Sequence, residues 1–145
     1  MLTRKQTEQE VGEFVQAVGL LIRRVRAATS SDKLSLSEEM VMSRLAQGGP
    51  ATTADLARAE GIKPQSMRTI VSTLEELNMI ERVPHPTDGR QVNIRLTAHG
   101  IATRGNRKEA KQKWLNNAIS TLNKEEQDTL FAAGKIMKRL VDLDL

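Results

Sequence analysis

Apolar residues at Val11, Phe14, Val15, Val18, Leu21, Ile22 and Val25 recur three and four positions apart, with Glu10, Glu13, Gln16, Arg23 and Arg24 on the other face. That period predicts an amphipathic helix over 8–28. After a polar break at 29–33, Ser35 followed by Glu38 has the spacing of a capping box and starts a second helix, with Leu36, Met40, Val41 and Leu45 facing inward. Gly48-Gly49-Pro50 ends it. Thr52 and Thr53 offer the next N-cap, Leu56 and Ala57 the next apolar face, and Gly61 a stop after barely two turns. Pro64 occupies a favoured first helical position. Met67, Ile70, Val71, Leu74 and Leu77 form the buried stripe of a helix over 64–77, closed by Asn78 in the left-handed conformation.

Beyond Asn78 the period shortens to two. Val92, Ile94 and Leu96 alternate with polar residues, and Asp88-Gly89 is a hairpin-turn signal, so 82–96 reads as a hairpin. Thr97 caps a long helix, polar from Ile101 to Lys113 and apolar again at Leu115, Ala118, Ile119 and Leu122. Asn123 with Glu126 starts a last helix carrying Leu130, Phe131, Ala133, Met137, Leu140 and Val141. The expected fold is mainly α with a small β-hairpin wing (α+β). It is a single domain over 1–145, in which a winged helix-turn-helix at 35–100 is flanked by terminal helices at 8–28 and 112–145. The small central part cannot cover both apolar terminal segments, and packing on a second copy across a two-fold axis would bury them.

The exposed side of the 64–77 helix presents Gln65, Ser66, Arg68, Thr69 and Ser72. Short polar side chains around one arginine suit the major groove of duplex DNA, where they hydrogen-bond base edges. Arg90, near the tip of the wing, suits the narrow, electronegative minor groove, with Asp88 close enough to orient it. The plainer readings are a solvated helix face and a surface ion pair worth under about 1 kcal/mol. A winged helix also serves elsewhere as a protein-interaction module, the alternative reading, but such a surface wants exposed apolar anchors and this face has none.

Composition excludes several classes. With 39% hydrophobic and 28% charged residues the chain reads as an ordinary soluble globular protein. It has no cysteine, which rules out disulfides, thiolate metal sites and thiol-based sensing. Phe14, Phe131 and Trp114 are its only aromatic residues, too few for a platform that stacks single-stranded bases. No signal peptide is expected, and no apolar run approaches the roughly 18 residues of a membrane span, so the expectation is a cytoplasmic protein without a membrane partner. Neither His85 nor His99 has the context of a nucleophilic triad, and no phosphate-binding glycine loop occurs, so neither an enzyme nor a cofactor nor a metal is expected. The net charge is +4, and its excess sits in 104–113, where Arg104, Arg107, Lys108, Lys111 and Lys113 face one acid, Glu109. The stretch reads as a solvated face, as phosphate contacts or as cations for an anionic ligand.

Three stretches carry a family resemblance: Leu74-Glu75-Glu76-Leu77-Asn78-Met79-Ile80-Glu81-Arg82, Pro86-Thr87-Asp88-Gly89-Arg90 and Leu96-Thr97-Ala98-His99-Gly100. From about residue 10 to 142 the chain resembles the MarR family of bacterial winged-helix transcription regulators, which usually have Gly where this chain has Asn78. The resemblance implies a homodimer with interlocked terminal helices, bound to a pseudo-palindromic operator in double-stranded DNA and acting as a repressor. It implies a recognition helix at 64–77, a wing at 82–96, and a DNA-binding set of Thr53, Lys63, Gln65, Ser66, Arg68, Thr69, Ser72, Asp88 and Arg90. Relatives are often released by a small anionic or aromatic effector bound between the winged lobe and the dimerisation helices, and Arg23, Arg24, Arg26 and Arg104 are the candidates to hold one here.

Overall fold

Most helices of the chain start where the sequence supplies a cap. In a computed structural model that describes residues 1–29 and 34–145, Ser35 Oγ accepts the Glu38 N–H at 3.1 Å and the Glu38 carboxylate accepts the Ser35 N–H. This reciprocal pair opens α2 (Leu36–Gly48). Equivalent boxes join Thr52 to Asp55 at α3 (Thr53–Glu60) and Asn123 to Glu126 at α6 (Lys124–Val141). Thr97 Oγ1 accepts the Gly100 N–H at 3.0 Å and opens α5 (Ala98–Ser120). The helix α4 (Pro64–Glu76) has no side-chain cap and begins on Pro64, whose missing N–H would be unpaired there in any case. The first helix, α1 (Arg4–Thr29), is longer than its apolar pattern. Apart from Thr29, the polar break expected at 29–33 lies outside the described residues.

Two helix ends use the same left-handed device. Gly61 has φ 62° and Asn78 has φ 62°. After α3, Ile62 N–H donates to Ala57 O at 3.0 Å and Gly61 N–H to Arg58 O at 3.3 Å. After α4, Met79 N–H donates to Leu74 O at 2.9 Å and Asn78 N–H to Glu75 O at 3.0 Å. Both are Schellman motifs, which pair carbonyls that a helix end otherwise leaves open. The first sets the three-residue turn between α3 and α4, and the second launches the strand that follows.

That strand, β2 (Ile80–Pro84), pairs antiparallel with β3 (Val92–Leu96), and β3 pairs antiparallel with a two-residue strand, β1 (Ala51–Thr52), giving the order β1-β3-β2. Ile94 stands between Ala51 and Arg82 in the ladder and is fully buried. Around it lie Leu34, Val41, Met42, Leu45, Leu56, Ala57, Met67, Val71, Leu74, Met79 and Ile80, the core of the unit that ends at Glu109. Each large side chain in this set contributes about 1.5–3 kcal/mol through burial. The start of α5 is set tightly against the chain after α4: a Cβ on Gly100 would stand 2.0 Å from Met79 O.

The structure corrects several expectations. Leu77 is the C-cap of α4 and is exposed, because the helix ends at Glu76 and the chain turns away. In α2 Met42 is buried while Leu36 and Met40 are exposed, so the inward face is rotated from the one expected. In the expected wing, seven residues, 85–91, separate strands 80–84 and 92–96, and Asp88-Gly89-Arg90-Gln91 form a turn closed by Gln91 N–H on Asp88 O at 3.1 Å. Gly89 is not left-handed there. Strand β1 has no counterpart in the expected fold, since two residues are too few to display a period.

The second unit combines residues 1–29 and 110–145. Gln127 Nε2 donates to Ile119 O and Leu122 O, at 3.1 and 3.0 Å, and holds the turn between α5 and α6. The Arg24 guanidinium lies 5.3 Å from the centre of the Trp114 ring. Among the described residues of this unit only Val25 is a buried hydrophobic. Val11, Phe14, Val15, Leu21 and Ile22 of α1 and Leu130, Phe131, Leu140 and Val141 of α6 remain exposed in the single chain. No helix among the described residues is long and apolar enough to cross a membrane.

Candidate nucleic-acid interface

The outward face of α4 follows from what the helix buries. Met67, Val71 and Leu74 have no accessible surface, Ile70 is partly buried against the core, and the side chains between them face solvent. Gln65, Ser66, Arg68, Thr69 and Ser72 are all exposed, as is Lys63 at the N-cap. Arg68 makes no ion pair among the described residues, so its guanidinium is available to an outside acceptor. Thr69 Oγ1 donates to Gln65 O at 3.3 Å and Thr73 Oγ1 to Thr69 O at 3.0 Å. With its hydroxyl hydrogen engaged by the helix, Thr69 offers a partner only acceptor lone pairs. Thr53 opens α3 and is half-buried, the least accessible of the DNA-binding candidates on the helices.

In the wing, Asp88 Oδ1 accepts both the Arg90 N–H at 3.0 Å and the Arg90 Nε–H at 3.3 Å. The carboxylate thereby fixes the base of a side chain that is 92% exposed and leaves the terminal guanidinium nitrogens pointing to solvent. His85 Nδ1 accepts backbone N–H groups from Thr87 and Asp88, a contact that no spacing rule anticipates because histidine is not a usual turn acceptor. Asp55 completes the capping box of α3 with Thr52. Hydrogen bonding from the Thr52 side chain, then from its backbone N–H, with Arg58 nearby, holds its carboxyl below the ordinary carboxylate value. The Thr52-x-x-Asp55 spacing was a legible signal for this cap.

The basic stretch resolves unevenly. Arg107 is buried in an ion pair with Glu39 of α2 and is no free cation for ligand or DNA. Removing either partner would leave a buried charge uncompensated. Arg104 Nη2 donates to Ser43 Oγ at 3.3 Å. Of the other effector candidates, Arg23 and Arg24 are exposed and Arg26 half-buried, all in the unit formed by 1–29 and 110–145, whereas Arg104 belongs to the other unit.

Comparison with known proteins gives a consistent set of likenesses. The model of the MarR family matches residues 34–92. The chain is 36% identical to an uncharacterized HTH-type transcriptional regulator of Mycobacterium bovis over 126 residues, 87% of this chain and 88% of the relative. It is 33% identical over 93 residues to an HTH-type transcriptional repressor of Mycobacterium tuberculosis, 63% of this chain and 67% of that one. Among solved structures, a putative transcriptional regulator from Pseudomonas aeruginosa superposes with a TM-score of 0.86 at 25% identity, over 99% of this chain and 100% of that one. The apo form of MarR from E. coli superposes with a TM-score of 0.71 at 20% identity, over 87% and 95% of the two chains, a likeness of fold.

Proposed function

The chain belongs to the MarR family and is a DNA-binding transcription regulator, and from that premise we propose that it is a cytoplasmic homodimeric repressor of a pseudo-palindromic operator. Helix α4 enters the major groove and Arg90 the adjacent minor groove. The observation that carries this reading is the division of α4 into a side with no accessible surface, formed by Met67, Val71 and Leu74, and an exposed side on which Gln65, Ser66, Thr69 and Ser72 surround Arg68. Phosphate contacts supply most of the affinity, and Arg68, Gln65 and Ser66 supply the sequence preference. The unburied apolar faces of α1 and α6 support the two-fold partner, which sets half-site centres about one helical turn, roughly 34–36 Å, apart. The name of the M. tuberculosis relative supports repression. We further propose release by a small aromatic or anionic effector, with Arg23, Arg24, Arg26 and Arg104 as candidate cations.

Selection from random duplexes should recover a two-fold site with that spacing. In anisotropy titrations on the recovered site at fixed salt, Arg68→Ala should cost about 1–3 kcal/mol and relax base preference, while Arg90→Ala should weaken binding with less change in preference. Small aromatic carboxylates added to the same titration should release the duplex. Operator binding unchanged in both variants would refute the assignment of α4 and the wing, and no carboxylate effect would refute the effector clause for that class of ligand.

A further inference from the structure

We infer that His85 is a positioning residue of the wing: its imidazole holds the turn that carries Asp88 and Arg90, and through that turn sets how Arg90 is presented to DNA. This rests on the reading of Arg90 as a DNA contact.

Loop 85–91 lies outside the strand ladder and is tied across its base by the His85 N–H donating to Gln91 O at 3.4 Å. Pro86 has no N–H to give, so the first backbone donors after His85 belong to Thr87 and Asp88. Both converge on His85 Nδ1, at 3.2 and 3.0 Å, and the Thr87 hydroxyl stands 3.4 Å from the same atom. A ring nitrogen that accepts two N–H groups carries no proton, so the imidazole proton resides on Nε2. One side-chain acceptor taking N–H groups from two and three residues on is the arrangement by which asparagine and aspartate build turns. His Nδ1 and Asn Oδ1 are both bonded to Cγ, so the two atoms occupy the same place.

From His85 the order passes outward. With its N–H held, Asp88 places Oδ1 against the N–H and Nε–H of Arg90, and the Gln91 N–H returns to Asp88 O. The Arg90 side chain, almost fully exposed, takes its orientation from Asp88. A side chain already ordered before binding loses less freedom on reaching DNA.

The test uses the whole protein and the duplex recovered by selection, with anisotropy at fixed salt. His85→Phe keeps a ring without the acceptor, and His85→Asn keeps the acceptor without the ring. His85→Phe should weaken binding about three- to tenfold, and His85→Asn should stay within about twofold of the parent. In an Arg90→Ala background His85→Phe should make no further difference. Amide exchange at Thr87 and Asp88, measured without DNA, should quicken in His85→Phe and not in His85→Asn, while both variants melt with the parent. Loss in His85→Asn equal to that in His85→Phe, or a loss that persists without Arg90, overturns the positioning role, as does unchanged amide exchange. If Arg90→Ala alone leaves affinity intact, the wing's DNA contact fails and takes the inference's claim on DNA with it, while amide exchange still decides whether His85 holds the turn.

Discussion

At the scale of the residue, the chain shows how a neighbour reverses an intrinsic preference. Replacing a helical glycine by alanine ordinarily gains about 1 kcal/mol. Gly105, with nothing near its absent Cβ, should follow that rule. Gly100, on the same helix, should not, because its Cβ would meet the carbonyl of Met79, a backbone atom with no rotamer to move. Gly100→Ala should lose about 1–3 kcal/mol and Gly105→Ala should gain, both read from urea midpoints; equal signs in the two variants would contradict the close approach. The same contrast separates the arginines. Arg68 and Arg90 are exposed, whereas Arg107 is buried with Glu39, and their sequence contexts did not distinguish them.

At the scale of the element, caps and terminators were legible because each is a local exchange of hydrogen bonds among residues a few positions apart. Ser35 with Glu38, Asn123 with Glu126, Thr97 and Asn78 all act as their spacing indicated. The cap of α3 carries a pH dependence with a definite sign. Asp55 titrates lower in the folded chain than in the unfolded one, so its contribution is complete above the ordinary carboxylate value and is lost as the pH falls through the lowered folded value. Asp55→Asn should therefore flatten part of the decline in urea midpoint as the pH falls below the ordinary carboxylate range; an acid limb unchanged in the variant would show that the cap does not titrate with folding. What spacing missed at this scale was β1, and the part His85 plays in the wing loop.

At the scale of the whole molecule, the single chain leaves large side chains of α1 and α6 uncovered, among them Phe14 and Phe131 at 48% and 53% exposure. An isologous interface would bury each such residue twice, once in each copy. Sedimentation should give the mass of two chains, with a melting temperature that rises with protein concentration. Phe131→Glu should shift the mass to one chain and lower the melting temperature. A parent that sediments as one chain at all concentrations would rule out the dimer.

The sequence by itself determined the order of helices, the turn between α3 and α4, the wing and the polar outward face of α4, together with the three motifs that carry the family resemblance. These are read from hydrogen bonds and periodicities that close within a few residues. The tertiary structure decided which face of α2 turns inward, that β1 adds a third strand beside Ile94, that Arg107 is buried on Glu39, and that Gly100 admits no side chain. It also showed the His85 imidazole gathering the Thr87 and Asp88 amides. Most of these features depend on groups far apart in the chain, and the histidine turn on a side-chain orientation; a periodicity constrains neither.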